Sequence, residues 1–172
     1  FLPSPSLIPR IAPTEIDDET GRPFRGVVHD PTSRYMGGVT GDAGLFTTAD
    51  DLAKYANMLL GMGQSNGVRI FSEATVKKFT TPASPADQPI LRALGWDIDS
   101  PYSSNRGELY PIGSYGHTGF TGTSMWMDPT SHSFVIVLTN AVHPKRGHSL
   151  SSFRSRLATT VAAGFGLNTQ GV

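Results

Sequence analysis

The sequence predicts an α/β fold in which an antiparallel sheet is flanked by helices. Three observations support this prediction: a glycine-lined strand followed by a β-hairpin over residues 116–138, an amphipathic helix over residues 48–61, and a C-terminal helix over residues 149–164. The chain of 172 residues has room for one domain of ordinary size. We expect it to hold three or four strands of the sheet.

Composition argues against several classes of function. The chain has 14 basic and 14 acidic residues, so no basic excess is present to neutralise the phosphates of a nucleic acid. No apolar run approaches the roughly 18 residues that a transmembrane helix needs. The absence of cysteine excludes disulfides and thiolate chemistry. We therefore predict neither a nucleic-acid partner nor a membrane span in this chain.

The first 36 residues contain six prolines, which break any long helix. Residues 11–15 and 25–30 could be short strands or extended loop. We expect this segment to lie across other structure, because it is an unusual start for an independent domain. The chain begins with Phe1 and shows no signal-peptide pattern. Either a targeting segment has been removed or the chain starts partway through a longer protein.

Residues 37–44 form a glycine-rich loop ahead of the first long helix. The loop lacks the lysine and the glycine spacing of a phosphate loop, so we do not predict phosphate binding. Thr48 is a good N-cap, acidic residues follow it in the first turn, and Gly61 is the expected end of the helix. The apolar stripe of this helix comprises Leu52, Tyr55, Ala56, Leu59 and Leu60.

A second helix is predicted over residues 72–79, with an acidic residue near its start and two lysines near its end, as the helix dipole favours. Polar loops are predicted over residues 82–92 and 99–112. Between them, residues 94–98 alternate between apolar and polar and could form a strand.

The clearest sheet signal covers residues 116–138. Residues 116–122 indicate a glycine-lined strand, and two apolar segments separated by a turn at residues 128–131 indicate a hairpin. The second apolar segment, residues 134–138, predicts a central strand covered on both faces. The C-terminal helix would then cover one side of the sheet. Its predicted apolar face comprises Leu150, Phe153, Leu157 and Val161.

His117 is the candidate functional residue, because its imidazole lies within a short run of glycines. Glycines weaken a strand unless something must approach its backbone closely, and a substrate is one candidate. The alternative is a bend or bulge at a crowded packing site, with His117 as a hydrogen-bonded structural residue. The spacing alone leaves both interpretations open.

The other chemistry-bearing residues form no recognisable site. The five histidines are His29, His117, His132, His143 and His148. They show no short metal-ligand spacing, and two cations lie between the last two, where they would repel a metal. No serine is followed three residues later by lysine, so a Ser-x-x-Lys nucleophile is not in this chain. We predict no metal and no organic cofactor.

Three stretches together resemble the serine β-lactamase and penicillin-binding-protein superfamily, in the branch of DD-peptidases, class C-like β-lactamases and esterases. They are residues 11–15 (Ile-Ala-Pro-Thr-Glu), residues 37–52, and residues 116–123 (Gly-His-Thr-Gly-Phe-Thr-Gly-Thr). Their order and spacing also agree with this superfamily. The resemblance covers residues 1–172 and implies that they are the C-terminal part of a β-lactamase-related domain. The family's Ser-x-x-Lys and Tyr-x-Asn/Ser motifs would then lie upstream.

The resemblance also implies roles for four residues. His117, Thr118 and Gly119 match the family's Lys-Thr-Gly motif with histidine in place of lysine, so their strand would line one wall of the active site, with His117 as a catalytic residue and Thr118 and Gly119 in contact with the substrate. Phe120 matches the residue whose backbone N–H forms half of the oxyanion hole. The electrostatic role of the lysine does not carry over, because an imidazole loses its charge near neutral pH.

The implied function is that of a serine hydrolase that cleaves amide or ester bonds through an acyl-enzyme, of the DD-peptidase, β-lactamase or esterase type. Its partners would be a small-molecule or peptide substrate and the N-terminal part of the same domain, and a periplasmic or secreted location is favoured. This chain alone would then be inactive. Two alternatives stay open: a non-catalytic module with the same fold that binds peptidoglycan or another ligand, and a structural domain with an accidental match.

Overall fold

The computed structural model of the protein describes residues 1–147 and 149–168. These residues fall into two compact units. The first unit comprises Phe1–Thr48, Phe120–Gly122 and Thr139–Ser149. The second comprises Ala49–Gly119, Thr123–Leu138 and the residues from Leu150 onward. No helix in the described part of the chain is both long and apolar enough to cross a membrane.

The second unit contains the sheet. A small hairpin comes first, made of β1 (Gln64–Ser65) and β2 (Val68–Arg69). The main sheet then consists of β3 (Leu91–Arg92), β4 (Asp97–Asp99), β5 (Tyr115–Thr118), β6 (Thr123–Asp128) and β7 (Ser133–Leu138). These five strands lie side by side in chain order and every neighbouring pair is antiparallel. The predicted antiparallel sheet is confirmed, with five strands rather than three or four.

The hairpin of β6 and β7 is the most regular part of the sheet, with six paired residues on each strand. The strand predicted over residues 116–122 is shorter than expected. It ends at Thr118, because Gly119 already donates its N–H to the carbonyl of Thr123 at 2.7 Å and so closes the turn into β6.

The prediction that residues 134–138 form a central strand is wrong, because β7 lies at the edge of the described sheet. Its side chains are nevertheless covered on both faces. Phe134 and Ile136 pack against the cluster on one face, and Val135 and Val137 belong to the cluster on the other. A strand with both faces covered needs apolar residues at every position whether or not it has a neighbour on each side.

Three helices cover the two faces of the sheet. They are α2 (Ala49–Leu60), α3 (Glu73–Thr80) and α4 (Ser151–Gly164). A fourth, α1 (Pro31–Tyr35), belongs to the first unit. Residues of α2 and α3 form one core with Ile98, Tyr115 and Met125 of the sheet. Residues of α4 form the other core with Trp126 and β7. The expectation of a sheet flanked by helices is therefore confirmed.

Two predicted helix faces need correction. In α2, Ala56, Leu59 and Leu60 are buried as expected, but Tyr55 is 41% exposed and stacks on Trp96 at 6.4 Å between ring centroids. In α4, the buried residues are Arg154, Ala158 and Ala162, while Phe153 is largely exposed and Leu157 and Val161 are only partly buried. Small alanines let α4 approach the sheet closely, so its contact face is not its most hydrophobic one.

The first unit contains little regular structure. A 3-10 helix spans Pro5–Arg10, and one isolated bridge pairs Ile16 with Pro23. Residues 11–15 and 25–30 form no strand, so the loop alternative holds for them. The glycine-rich loop is tied to α1 through the buried Ser33, whose hydroxyl donates to Asp42 at 3.1 Å and accepts from Thr40 at 2.8 Å.

Candidate active site

His117 lies near the end of β5, opposite Met125 of β6, and its side chain is exposed. The imidazole Nδ1 is 2.8 Å from the carbonyl oxygen of Thr118, and Nε2 is 3.3 Å from Nη2 of Arg92. A carbonyl only accepts and a guanidinium only donates. We infer from these contacts that Nδ1 carries the proton and that the Nε2 lone pair faces Arg92.

Arg92 brings a permanent positive charge to the side of His117. Its Nη1 lies 3.3 Å from Oδ1 of Asp97, a residue that is only 1% exposed. The same carboxylate oxygen accepts a hydrogen bond from Ser100 Oγ at 2.8 Å. The buried carboxylate of Asp97 therefore fixes Nη1 of the guanidinium, while Nη2 contacts the imidazole.

Two long hydrogen bonds reach the carbonyls at the end of β5. Asn105 Nδ2 donates to His117 O, and Arg154 Nη2 donates to Gly119 O, each at 3.4 Å. Both donors are buried, and burial lowers the pKa of the Arg154 guanidinium. These contacts hold the backbone that carries His117, so Asn105 and Arg154 support the position of the strand end.

The glycines around His117 have a packing explanation. A Cβ at Gly116 would collide with the carbonyl oxygen of Met125 and the ring of Trp126, and one at Gly119 would collide with Oγ1 of Thr123. The crowded-packing alternative therefore accounts for Gly116 and Gly119. The argument for a substrate site must rest on His117, on the strand edge and on Phe120.

The backbone edge of β5 is open beyond Gly116. β4 pairs with β5 only through Asp97 and Gly116, and β4 begins at Asp97. In an antiparallel pair, alternate residues direct their N–H and C=O groups to the same neighbour. Thr118, two residues after Gly116, therefore faces the side on which no described strand residue lies opposite it.

Phe120 follows directly in the chain and belongs to the first unit. Its ring stacks on the imidazole of His29, with centroids 5.6 Å apart and an interplanar angle of 24°. The guanidinium carbon of Arg146 lies 4.6 Å from the centroid of the same ring. The backbone N–H of Phe120 has no hydrogen-bond acceptor among residues 1–147 and 149–168. That amide is thus a free donor within the described structure.

His29 is itself held by Glu15. Its Nε2 lies 3.0 Å from Oε2 of Glu15, and Oε1 of the same carboxylate accepts the backbone N–H of Arg146 at 3.3 Å. The hydrogen bond from His29, followed by that from Arg146, lowers the pKa of Glu15.

Comparison with known proteins identifies the family. The model of the β-lactamase family matches residues 3–159. The chain belongs to the β-lactamase family. This confirms the resemblance to the serine β-lactamase and penicillin-binding-protein superfamily that the three sequence stretches indicated.

Curated relatives and a solved structure are similar to the chain. Proteins of Escherichia coli O157:H7 and Escherichia coli K12, each described as a "putative D-alanyl-D-alanine carboxypeptidase", are 40% and 39% identical to it over 121 residues. The aligned part is 69% of this chain and 27% of each relative, so the chain spans about a quarter of their length. A β-lactamase from Mycobacterium bovis matches the fold with a TM-score of 0.58 at 24% identity, over 73% of this chain and 47% of the other.

One match to a catalytic motif was missed from the sequence. Residues 63–67 read Gly-Gln-Ser-Asn-Gly and fit the Gly-x-Ser-x-Gly pattern of a serine nucleophile elbow. Such an elbow turns sharply from a strand into a helix. Here Ser65 pairs with Val68 across the hairpin of β1 and β2, and Asn66 and Gly67, with φ of 49° and 78°, form its tight turn. This motif therefore forms a hairpin turn and not a nucleophile elbow, which is in any case not the Ser-x-x-Lys arrangement of this family.

The metal prediction concerns five histidines, of which His148 lies outside the described residues. Within residues 1–147 and 149–168, no group of three or more His, Cys, Asp or Glu side chains is arranged to hold a metal ion.

Tyr115, two residues before His117, is buried, and this burial raises its pKa to about 12. The Tyr115 hydroxyl therefore remains protonated, and Tyr115 serves as a packing residue.

Sequence reasoning named His117, Thr118, Gly119 and Phe120 but missed five residues that contact them, together with Glu15, which contacts two of those five. The missed residues are Glu15, His29, Arg92, Asn105, Arg146 and Arg154. Each is distant in sequence from the residue that it supports. Arg92 and Arg146 lie in segments that the sequence predicts as polar loops, where charged side chains are usually solvated, so nothing in the sequence singled them out.

Proposed function

We propose that this chain is the C-terminal part of a serine hydrolase domain and supplies one wall of its active site. The reaction would be acyl transfer from an amide or ester through an acyl-enzyme. The nucleophilic Ser-x-x-Lys would lie on polypeptide outside this chain. Family membership supports the reaction class, and the greater length of the curated relatives is compatible with a longer protein.

The observation that carries the proposal is the open edge of β5 beside an exposed His117. An extended substrate can pair with an unpartnered strand edge through its own backbone, as a peptide does in β-strand addition. The backbone of Thr118 faces that edge, and Gly119 follows it at the start of the turn. Thr118 would pair with the substrate backbone next to the bond that is cleaved, and Gly119, whose own N–H and C=O are already bonded, would contact the substrate through its bare Cα.

The free amide of Phe120 suits the role of an oxyanion donor. When the serine oxygen attacks the carbonyl carbon, the carbonyl oxygen becomes negative, and preorganised N–H groups stabilise that charge. An amide that already donated to a neighbouring strand would be unsuited to this task. The second donor would be the amide of the attacking serine itself.

His117 and Arg92 would act on the polar end of the substrate. The guanidinium of Arg92 is a cation with donors in a planar fork, so it can attract a carboxylate. His117 would exchange a proton or a hydrogen bond with the reacting group through Nε2, because Nδ1 is bonded to the Thr118 carbonyl, and Arg92 would have to turn from Nε2 to the substrate for this step. Because the curated relatives carry a name that refers to D-alanyl-D-alanine, we propose a peptide ending in that dipeptide as the first substrate to test.

A fluorophosphonate probe tests the location of the nucleophile. The probe should label a serine in a polypeptide extended upstream to include the proposed Ser-x-x-Lys, and it should leave the 172-residue chain unlabelled. Labelling of the 172-residue chain at any serine would refute this part of the proposal. An extended polypeptide that binds the dipeptide but is never labelled would instead favour a non-catalytic binding module.

The variant His117→Ala tests the role of the imidazole in the extended polypeptide. We expect acylation by a chromogenic ester to slow by about 10²-fold, as for loss of a general acid–base group. His132→Asn is the matched control, because His132 lies in the exposed turn between β6 and β7 with φ of 51°, which asparagine tolerates. Equal acylation rates in the two variants would reduce His117 to a structural residue.

A further inference from the structure

Four residues of the first unit form a cluster around the ring of Phe120, which we call the Phe120 clamp: Glu15, His29, Phe120 and Arg146. The imidazole of His29 stacks on one side of the ring, at 5.6 Å between centroids, and the guanidinium of Arg146 lies 4.6 Å from the ring centroid. Stacked and cation–π contacts of this kind favour a definite ring orientation.

Glu15 connects the two residues that contact the ring. One carboxylate oxygen lies 3.0 Å from His29 Nε2, and the other accepts the backbone N–H of Arg146 at 3.3 Å. His29 is largely buried, with 13% of its side chain exposed, and Glu15 is about one-third exposed at 34%. The lowered pKa of Glu15 follows from these same two contacts and agrees with a carboxylate that stays ionised.

The backbone of Glu15 is fixed as well. Its carbonyl accepts the N–H of Phe24 at 3.0 Å, and the next residue, Ile16, donates its N–H to the carbonyl of Pro144 at 2.9 Å. The carboxylate therefore extends from a backbone that is bonded on both sides. A rigid base of this kind is what a positioning residue needs.

The chain after Phe120 is also anchored, but the Phe120 amide is free. The carbonyl of Thr121 accepts from the N–H of Ala141 at 2.7 Å, and the carbonyl of Gly122 accepts from Thr139 Oγ1 at 2.6 Å. Among the described residues, the Phe120 N–H has no acceptor. The peptide group that carries this N–H is held on its carbonyl side by the long bond from Arg154 Nη2 to Gly119 O at 3.4 Å, and the ring contacts restrain it from the side of Phe120.

We propose that Glu15 and His29 are positioning residues that aim the backbone N–H of Phe120 by holding its ring. This inference rests on the proposed function, in which that N–H stabilises an oxyanion. An oxyanion donor works only when it points at the place where the charge develops, so an error of a few tenths of an ångström reduces its effect. The clamp supplies this precision without occupying the amide.

The test uses two variants and a control. Glu15→Gln removes the charge that joins His29 to the Arg146 backbone, and Arg146→Gln removes the cation beside the Phe120 ring at an exposed position. Glu19→Gln is the control, because Glu19 is exposed, lies in the same segment and loses the same charge.

The first measurement is made on the 172-residue chain labelled with ¹⁵N-phenylalanine. We expect the Phe120 amide resonance to shift and to broaden in Glu15→Gln and in Arg146→Gln, with Glu19→Gln unchanged. If the Phe120 resonance in both clamp variants overlays that of the control, the clamp does not position the amide and the inference is wrong.

The second measurement separates positioning from general destabilisation. In the extended polypeptide, Glu15→Gln should lower the kcat for ester hydrolysis by about 10-fold while KM changes less than about twofold, because the loss affects the transition state and not substrate binding. Turnover equal to that of Glu19→Gln would overturn the inference and leave the proposed function standing. If even the control has no acyl-transfer activity, the proposed function fails, and the resonance of Phe120 still decides whether the clamp positions its amide.

Discussion

Replacing Gly116 by alanine tests whether packing, and not substrate access, requires the glycine before His117. The new Cβ would collide with the carbonyl oxygen of Met125 on the paired strand and with the ring of Trp126, which is completely buried. Neither neighbour can move away cheaply, because one is backbone and the other is fixed within the core. The backbone of Gly116 does not have a positive φ, so alanine adds no conformational strain of its own.

The expected change in the free energy of unfolding of Gly116→Ala follows from two opposed effects. Overpacking a core position costs up to about 3 kcal/mol, and replacing glycine in a strand recovers about 1 kcal/mol of backbone entropy. We therefore expect a loss of about 2 kcal/mol, which for a chain of this length lowers Tm by roughly 4–8 °C.

Urea unfolding and thermal melts, both followed by circular dichroism, measure the effect of Gly116→Ala. The matched control is Gly164→Ala at the end of α4, where no atom lies within 4 Å of the added Cβ. We expect the control to keep or slightly raise the stability. If Gly116→Ala is as stable as the control, the packing explanation is refuted. Close approach of a substrate to the backbone would then be the remaining explanation for this glycine.

Two further predictions concern stability. Trp126→Phe keeps most of the buried ring but removes the indole N–H that donates to Ser114 Oγ at 2.8 Å. The free energy of unfolding, measured in urea, should therefore fall by about 1–2 kcal/mol. A variant as stable as the wild type would show that this hydrogen bond does not stabilise the fold. The lowered pKa of Glu15 means that its stabilising contribution is present above the unfolded pKa of about 4.3 and is lost as pH falls through the folded pKa. The Tm values of wild type and Glu15→Gln should therefore differ at pH 7 and converge as the pH falls from about 4.3 through the lowered folded pKa of Glu15, and a constant difference across that range would show that the carboxylate charge is not responsible.

The helices α2 and α3 could be predicted from the sequence because their signals are local. Acidic residues follow the start of each helix, and in α3 the Ser72 hydroxyl accepts the N–H of Thr75 at 3.1 Å, as an N-cap should. The hairpin of β6 and β7 was equally clear, because two apolar runs flank a turn. By contrast, β3 has only two residues and was predicted as loop, and the alternation at residues 94–98 predicted a strand that overlaps the observed β4 only at Asp97 and Ile98.

The order of strands and the face of α4 could not be predicted in the same way. A run that is apolar at every position reports burial on both faces, and it contains no information on how many strands lie beside it. For α4 the largest apolar residues suggested one face, whereas Ala158, Ala162 and the buried Arg154 lie on the contact face. Arginine is almost never fully buried unless its guanidinium has a partner, and here that partner is the Gly119 carbonyl, which the sequence pattern does not reveal.

The contact between His117 and Arg92 shows why the composition of the candidate site could not be predicted from the motif alone. A lysine in the family's Lys-Thr-Gly motif combines a hydrogen-bond donor and a permanent charge in one side chain. In this chain β5 presents an imidazole whose Nε2 accepts from Arg92 at 3.3 Å, and the permanent charge comes from β3. A lysine at position 117 would place a second cation beside that guanidinium, and like charges at this distance destabilise each other. Histidine at 117 and arginine at 92 are thus physically compatible choices, although 25 residues separate them in the sequence.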